Sequence, residues 1–314
     1  MIMDTMHRQL QENRNPYISV IIPVFNEEQT IKRCLQALMD QNDQSGNYEV
    51  VVVDNGSNDR SIQIIQEFSV KLFSENRAHN SYMARNCGLR HAKGEIIAFI
   101  DADCIADKNW LRNLIEPFHN ESVGVVAGEV LSDKPRNLVQ GFYEHSGFLK
   151  QEKKIKNETA ALGAGNIALR KKIFDIVGNF DEKFRWGGDN DFGIRIQKET
   201  NYLIQFAENA RVYHSHRSSL KSLIKHAYTY GLGKGRFREK HTVQNKAARG
   251  TSIIWNVYML FRFIIGIVIL PLHALKIAKE GNSISESIIY PVLDKMFCII
   301  EQIGIITFLL KKKG

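Results

Sequence analysis

From residue 17 onward, short apolar runs alternate with amphipathic stretches. Residues 18–24, ISVIIPV, form a continuous apolar run of strand length, and residues 49–53, 70–73, 95–100 and 123–130 repeat the pattern. Between them, residues 27–40 place Ile31, Leu35 and Leu38 on one helical face. Asn26 stands where a helix cap is wanted, with Glu27 and Glu28 in the first turn, where acids suit the helix dipole. Residues 61–68, 80–92 and 108–119 are also expected to be helical, with Gly94 as a stop before the fourth strand. Strands that are apolar along their whole length and alternate with helices predict an α/β fold. Its mostly parallel sheet is covered on both faces.

The carboxyl ends of the strands in such a sheet share an edge, and ligands bind there. Pro23-Val-Phe-Asn-Glu27 follows the first strand, Asp54-Asn-Gly-Ser-Asn-Asp59 the second and Asp101-Ala-Asp103 the fourth. One acidic turn is ordinary turn chemistry, whereas three on one rim point to a ligand. In Asp101-Ala-Asp103 one carboxylate can anchor the loop or a ribose while the other reaches a hard cation. Mg²⁺ or Mn²⁺ takes few protein carboxylates and completes its shell with water and phosphate oxygens. Near the first strand there is neither a GxxxxGK[ST] loop nor a GxGxxG turn. That disfavours kinases, ATPases and nicotinamide dehydrogenases, because phosphate must be held by metal and basic side chains.

A set of ordered motifs adds to this. SVIIPVFNE (19–27), VVVDNGSND (51–59), MARNCG (83–88), FIDAD (99–103), GNIALR (165–170), FDE (180–182) and GDND (188–191) leading to Arg195 occur in sequence. In these the chain resembles the family 2 glycosyltransferases of the GT-A fold, over about residues 17–230. The resemblance implies metal-assisted transfer of a sugar, with inversion, from a nucleotide-diphosphate donor, usually a UDP-sugar. The acceptor hydroxyl would belong to a glycan or a lipid-linked glycan, as in polysaccharide biosynthesis.

Carried over by motif, Asp54 resembles the acid that reads the nucleotide base, and Pro23, Asn26 and Glu27 line the same pocket. Arg85 resembles a donor-contacting arginine, Asp101 the residue toward ribose and metal, and Asp103 the direct ligand of Mg²⁺ or Mn²⁺. The family usually shows Glu-Asp where this chain has Gly188-Asp189, so the general-base role falls to Asp189, with Asp191 beside it in the catalytic segment. Asp191 and Arg195, four residues apart, could equally form a helical ion pair. His214 resembles a histidine that completes the metal shell or contacts phosphate, and a structural histidine fits there as well. Two other readings stay open: a non-catalytic nucleotide-binding scaffold at a membrane, and a nucleotidyltransferase on a related fold.

Charge changes the picture in one place. The chain carries a formal +8, yet residues 211–250 hold ten Lys/Arg against the single acid Glu239, so the remainder is nearly neutral. Such a block suits an anionic surface or substrate. No nucleic-acid-binding motif accompanies it, so no nucleic-acid partner is expected. The glycine-spaced run Tyr230–Arg238 reads as a loop that closes over the donor or is simply solvated. Four cysteines show no metal-ligand spacing, which suits a reducing compartment.

Three regions are expected: a polar lead-in over 1–16, the glycosyltransferase domain over 17–230, and a basic linker with apolar or amphipathic helices over 231–314. In the last, residues 253–275 are long enough to span a bilayer but contain Arg262 and Pro271. Residues 288–310 carry Asp294, Lys295, Glu301 and Gln302 on one helical face. Lysines and arginines flank every boundary, so these helices are expected to lie on the cytoplasmic face of the cell membrane, peripherally or as a shallow hairpin. A soluble helical appendage or dimer interface is the alternative.

Overall fold

The computed structural model describes residues 18–42, 47–152, 155, 162–242 and 284–311. The lead-in 1–16 and the apolar stretch 253–275 lie outside them. The chain divides into two compact units. The first takes the described residues within Met1–Val130, Gln151–Phe180 and Phe192–Tyr213; the second takes those within Leu131–Lys150, Asp181–Asp191 and His214–Gly314.

The first unit is built on a sheet of eight strands among the described residues. These are β1 (Ile18–Val24), β2 (Tyr48–Asp54), β3 (Lys71–Ser74), β4 (Ile96–Ile100), β5 (Cys104–Ala106), β6 (Val123–Ser132), β7 (Asn166–Arg170) and β8 (Leu203–His214). Their order is β3-β2-β1-β4-β7-β6-β8-β5. The first four in that order run parallel, as the alternation with helices requires, with Val24 beside Asp54 and Ile21 beside Phe99. Antiparallel pairing begins where β7 joins β4, Ile100 against Asn166, and continues from β7 to β6.

Successive side chains on β1, β2 and β4 are apolar to both sides, and each side has its own cover. Val20, Ile22, Val24, Val50, Val52, Ala98 and Ile100 share a core with Ile31, Leu35 and Leu38 of α1 (Ile31–Met39). On the other face α3 (Ser81–His91) comes so close that a Cβ on Gly88 would lie 2.5 Å from Ile21. Phe99 meets Phe174 and Phe180 edge-on beside it. The intervening helix α2 (Ser61–Ile65) is shorter than its pattern predicts. The stretch 108–119 is a short α4 (Trp110–Ile115) followed by a 3-10 turn, Glu116–His119, that contains Pro117.

A buried amide closes the antiparallel half. The side chain of Asn166 is fully buried; it accepts from Trp110 Nε1 at 2.8 Å and donates to the carbonyls of Glu129 and Ala210, both at 2.9 Å. One side chain thereby ties β6, β7, β8 and α4 together, with both amide hydrogens donated and the oxygen accepting.

The remaining elements are α5 (Leu138–Ser146), α6 (Lys172–Val177), α7 (Gly188–Glu199), α8 (Leu220–Thr242) and α9 (Ile284–Lys311). In the second unit α5, α8 and α9 enclose a core of Phe142, Tyr143, Leu223, Ala227, Tyr290, Leu293 and Phe297.

At the amino ends of the strands Glu49 is 8% exposed. Its carboxylate accepts from Ser19 Oγ at 2.6 Å, from the Lys93 amide at 2.6 Å and from Lys71. Burial pushes this carboxyl up, but Lys71, Ser19 and the Lys93 amide outweigh it and hold it below the usual glutamate value. The pair therefore contributes stability above the unfolded-state value and loses it as pH falls through the folded one. Glu49→Gln should cost about 1–3 kcal/mol at pH 7 in denaturant unfolding, with the difference shrinking toward pH 3. A cost that stays the same at both pH values contradicts this account.

Candidate active site

The parallel register delivers the ends of β1, β2 and β4 to one rim, and hydrogen bonds join the turns that follow β1 and β2. The Asn26 amide donates to Ser57 Oγ at 2.9 Å, the Asn58 amide to Asn26 Oδ1 at 2.8 Å, and the Glu27 amide to Ser61 Oγ at 2.7 Å. Asn26 therefore does not cap α1, as its sequence position suggested. It sits at φ 55, in the left-handed region that asparagine tolerates, and its side chain reaches across to the second turn. Thr30 takes the N-cap position, its hydroxyl donating to Glu27 Oε2 at 2.6 Å.

Asp54 is 2% exposed. Its carboxylate accepts the amides of Gly56 at 3.0 Å and Ser57 at 3.2 Å, a turn that Gly56 permits by adopting φ +82. Beside it, Asn55 donates to the carbonyls of Glu75 and Ala78, so the turn is also fastened to the segment after β3. Pro23 is half-buried in β1. Phe25, 40% exposed, lies 4.4 Å from the exposed His79 ring, centroid to centroid. This aromatic pair was not singled out in the sequence. Its only signal there is the phenylalanine inside Pro-Val-Phe-Asn-Glu.

Asp101 follows β4, with its side chain about one-third exposed, and receives Arg85 Nη2. Arg85 is itself buried, lies 5.7 Å from the Tyr82 ring centroid, and has a buried Nε without a hydrogen-bond partner among the described residues. It stands behind Asp101 and orients that carboxylate. A Cβ on Gly165 would fall 2.5 Å from Asp101 Oδ2, so the glycine before β7 keeps room for it. Asp103, half-buried, completes the turn, which the Cys104 amide closes on the Asp101 carbonyl at 3.0 Å.

Burial, then the charges of Asp103 and Asp101, pushes the thiols of Cys34 and Cys104 up. They stay protonated, which leaves carboxylate oxygens as the anionic donors on this turn. An oxygen donor set of this kind fits Mg²⁺ or Mn²⁺.

The second unit holds Asp189, Asp191 and His214. Asp189, half-buried in the first turn of α7, accepts the Asn190 amide at 3.0 Å. The preceding Gly187 adopts φ +77 with nothing within 4 Å of a would-be Cβ. Asp191 is fully buried and accepts from Lys240 Nζ at 2.8 Å and His241 Nε2 at 2.9 Å. Arg195, its suggested partner, donates to the carbonyls of Val177 and Asn179.

His214 ends β8 with its Nδ1 3.2 Å from His216 Nδ1, and His216 in turn reaches Ser132 Oγ at 2.8 Å and stacks on Tyr143. The Tyr143 hydroxyl meets His226 Nδ1 at 2.6 Å. Burial lowers His226 to about 3 and raises Tyr143 to about 12, so both are neutral in the working range.

The run 230–238 is not a loop. It is the middle of α8, and its glycines are explained by close contacts. A Cβ on Gly231 would sit 2.0 Å from the Glu301 carbonyl, and one on Gly233 2.4 Å from the Trp186 carbonyl. From α9, a Cβ on Gly304 would come within 2.3 Å of the Tyr228 carbonyl.

The profile of glycosyl transferase family 2 matches residues 19–178, just over half of the chain. The protein named Glycosyltransferase AglE, from Haloferax volcanii, is 26% identical over 309 residues, covering 95% of this chain and 98% of its own. A dolichyl N-acetyl-alpha-D-glucosaminyl phosphate 3-beta-D-2,3-diacetamido-2,3-dideoxy-beta-D-glucuronosyltransferase from Methanococcus voltae is 26% identical over 239 residues, 70% of this chain and 73% of that protein. Among solved structures, a mannosyltransferase from Pyrobaculum calidifontis, in complex with GDP-Man and Mn²⁺, superposes with a TM-score of 0.65. It shares 16% identity over 94% of this chain and 88% of its own, a likeness that shows the fold.

The Gly165 contact can be tested without any ligand. Gly165→Ala should cost about 1–3 kcal/mol through overpacking against Asp101. Asp101→Ala gives that methyl room, so the double variant should recover most of the loss in thermal unfolding. Additive losses contradict the contact.

Proposed function

This chain belongs to glycosyl transferase family 2 and is a glycosyltransferase using a nucleotide-sugar donor, and on that premise we propose an inverting, metal-assisted transfer from a UDP-sugar to an acceptor hydroxyl. The observation that carries it is the shared rim, where Asp54 and the Asp101–Asp103 turn end β2 and β4, the two parallel neighbours of β1. Asp54 reads the base: a carboxylate offers about four lone-pair positions, so acceptor capacity remains beyond its own turn. Pro23, Asn26 and Glu27 form the wall of the nucleoside pocket, and the exposed Phe25–His79 pair offers it an aromatic face.

Asp101, oriented by Arg85, serves the ribose and metal side, and Asp103 would hold the cation; His214 keeps the metal- or phosphate-side role that its motif implies. When bound, Mg²⁺ or Mn²⁺ neutralises charge on the departing diphosphate. Asp189 takes the proton from the acceptor hydroxyl as its oxygen bonds to the anomeric carbon. The bond from that carbon to the diphosphate breaks, and the nucleoside diphosphate leaves. Gly187 and Gly188 let the backbone there approach a substrate closely. Asp191, committed to Lys240 and His241, serves in this segment without touching the reacting atoms.

A lipid-linked glycan is the acceptor class we favour, supported by the relative named for a dolichyl phosphate substrate. No helix among the described residues is long and apolar enough to cross a membrane. On α9 the expected polar face is partly inverted: Glu301 is buried against Lys234 at 2.8 Å, while Ile288, Val292, Ile303 and Leu310 are exposed. That apolar stripe, ending in lysines 311–313, supports peripheral attachment at the cytoplasmic face of the membrane. Replacing Ile288, Val292 and Ile303 together by serine should shift the protein from vesicles of anionic lipid to the supernatant on sedimentation. Undiminished binding by that variant removes the stripe from the account.

Calorimetric titration with UDP, GDP and ADP, with Mn²⁺ or EDTA, tests the donor side. UDP should bind best, and EDTA or Asp103→Ala should weaken it to the same degree. Equal binding of all three nucleotides, or affinity undiminished in EDTA, overturns the assignment. On the acceptor side, Asp189→Asn should lower turnover at least about a hundredfold while UDP affinity barely changes.

A further inference from the structure

Three basic residues on one face of α8 contact the segment that carries Asp189. Arg236, Lys240 and His241 follow Gly233 at helical spacing, and Gly233 lets α8 pack against the Trp186 backbone. The Arg236 guanidinium lies 5.3 Å from the centroid of the fully buried Phe184 ring, and Lys240 Nζ lies 5.7 Å from it. Lys240 then bridges two carboxylates, Asp181 at 3.0 Å and Asp191 at 2.8 Å, while His241 Nε2 meets the same Asp191 oxygen, Oδ1, at 2.9 Å. Asp181 and Asp191 bracket Asp189 in the chain.

A fully buried carboxylate costs several kcal/mol unless it is paired, so the Asp191 contacts are a strong constraint on the backbone around it. Asp191 lies two residues from Asp189 on the same helical turn. If that turn shifts by a fraction of an ångström, the Asp189 carboxylate moves with it.

We propose that Lys240 and His241 are positioning residues for the transfer reaction, a clamp that holds residues 181–191 so that Asp189 meets the acceptor hydroxyl. The inference rests on the reading of Asp189 as the base. It assigns α8, which lies beyond the matched family region, a part in the chemistry in addition to any part in attachment.

The test uses the full-length chain, with turnover read as UDP released from the donor sugar that a nucleotide-sugar panel selects. Lys240→Ala should slow turnover by about ten- to a hundredfold, the cost of misplacing a reacting group by up to an ångström. Its UDP affinity, measured by titration, should stay within about twofold, because the donor rim is untouched. Lys240→Arg keeps a cation of similar reach and should restore most of the rate, and Lys225→Ala, an exposed lysine on the same helix, should change nothing.

In an Asp189→Asn chain, Lys240→Ala should add almost no further loss, since the group it positions is already gone. Amide exchange in the 185–192 peptide should speed up in Lys240→Ala. Parental turnover in Lys240→Ala, or an equal loss in both backgrounds, overturns the clamp. Parental turnover in Asp189→Asn alone overturns the base reading instead, so the two failures are distinguishable.

Discussion

The donor rim depends on one constraint, the parallel register of β1, β2 and β4. Parallel neighbours buried on both faces must end on the same edge, so the polar groups that terminate them have only each other and a ligand as company. The hydrogen bonds among Asn26, Ser57, Asn58 and Ser61 are what that crowding produces. They leave the rim rigid and rich in acceptors before any substrate arrives. A preorganised polar edge is suited to a charged, flexible donor, because little ordering remains to be done on binding.

Three buried charged groups are handled in three ways. Glu49, at the opposite ends of the strands, is neutralised by a lysine, a hydroxyl and an amide, and nothing about it invites a ligand. Arg85 faces Asp101, whose side chain is partly open to solvent, so its charge acts outward through a group that can meet substrate. Asp191 is wholly enclosed and fastens one stretch of chain to another. Sequence treats all of them as charged residues near motifs; burial and partner distinguish scaffold, support and strap.

Much of this was legible in the chain itself. The five apolar runs became strands close to their expected limits, and the three turns met on one rim because periodicity and βα alternation determine that much. The misreadings have physical reasons. Asparagine favours both the N-cap and the left-handed conformation, and only the hydrogen bond to Asn58 decides between them at position 26. Four-strand parallel pairing gives way to antiparallel β7 and β6, which no local pattern announces. Residues 230–238 look unlike a helix because glycine is a poor helix former, and the backbone contacts that require it come from residues distant in the chain, Glu301 for Gly231 and Trp186 for Gly233. Glu301 looked solvent-facing until Lys234 supplied an interior partner.

The glycine contacts between α8 and α9 also set rules for building chimaeras. Composition would place a cut near residue 230, separating a catalytic portion from a tail. With Gly231 against the Glu301 carbonyl and Gly304 against that of Tyr228, such a cut would run through a backbone-to-backbone seam. A tail borrowed from a relative would bring side chains where this chain has none, and the graft would be pried open at its join. The exchangeable module begins before Leu220, with α8 and α9 travelling as a matched pair.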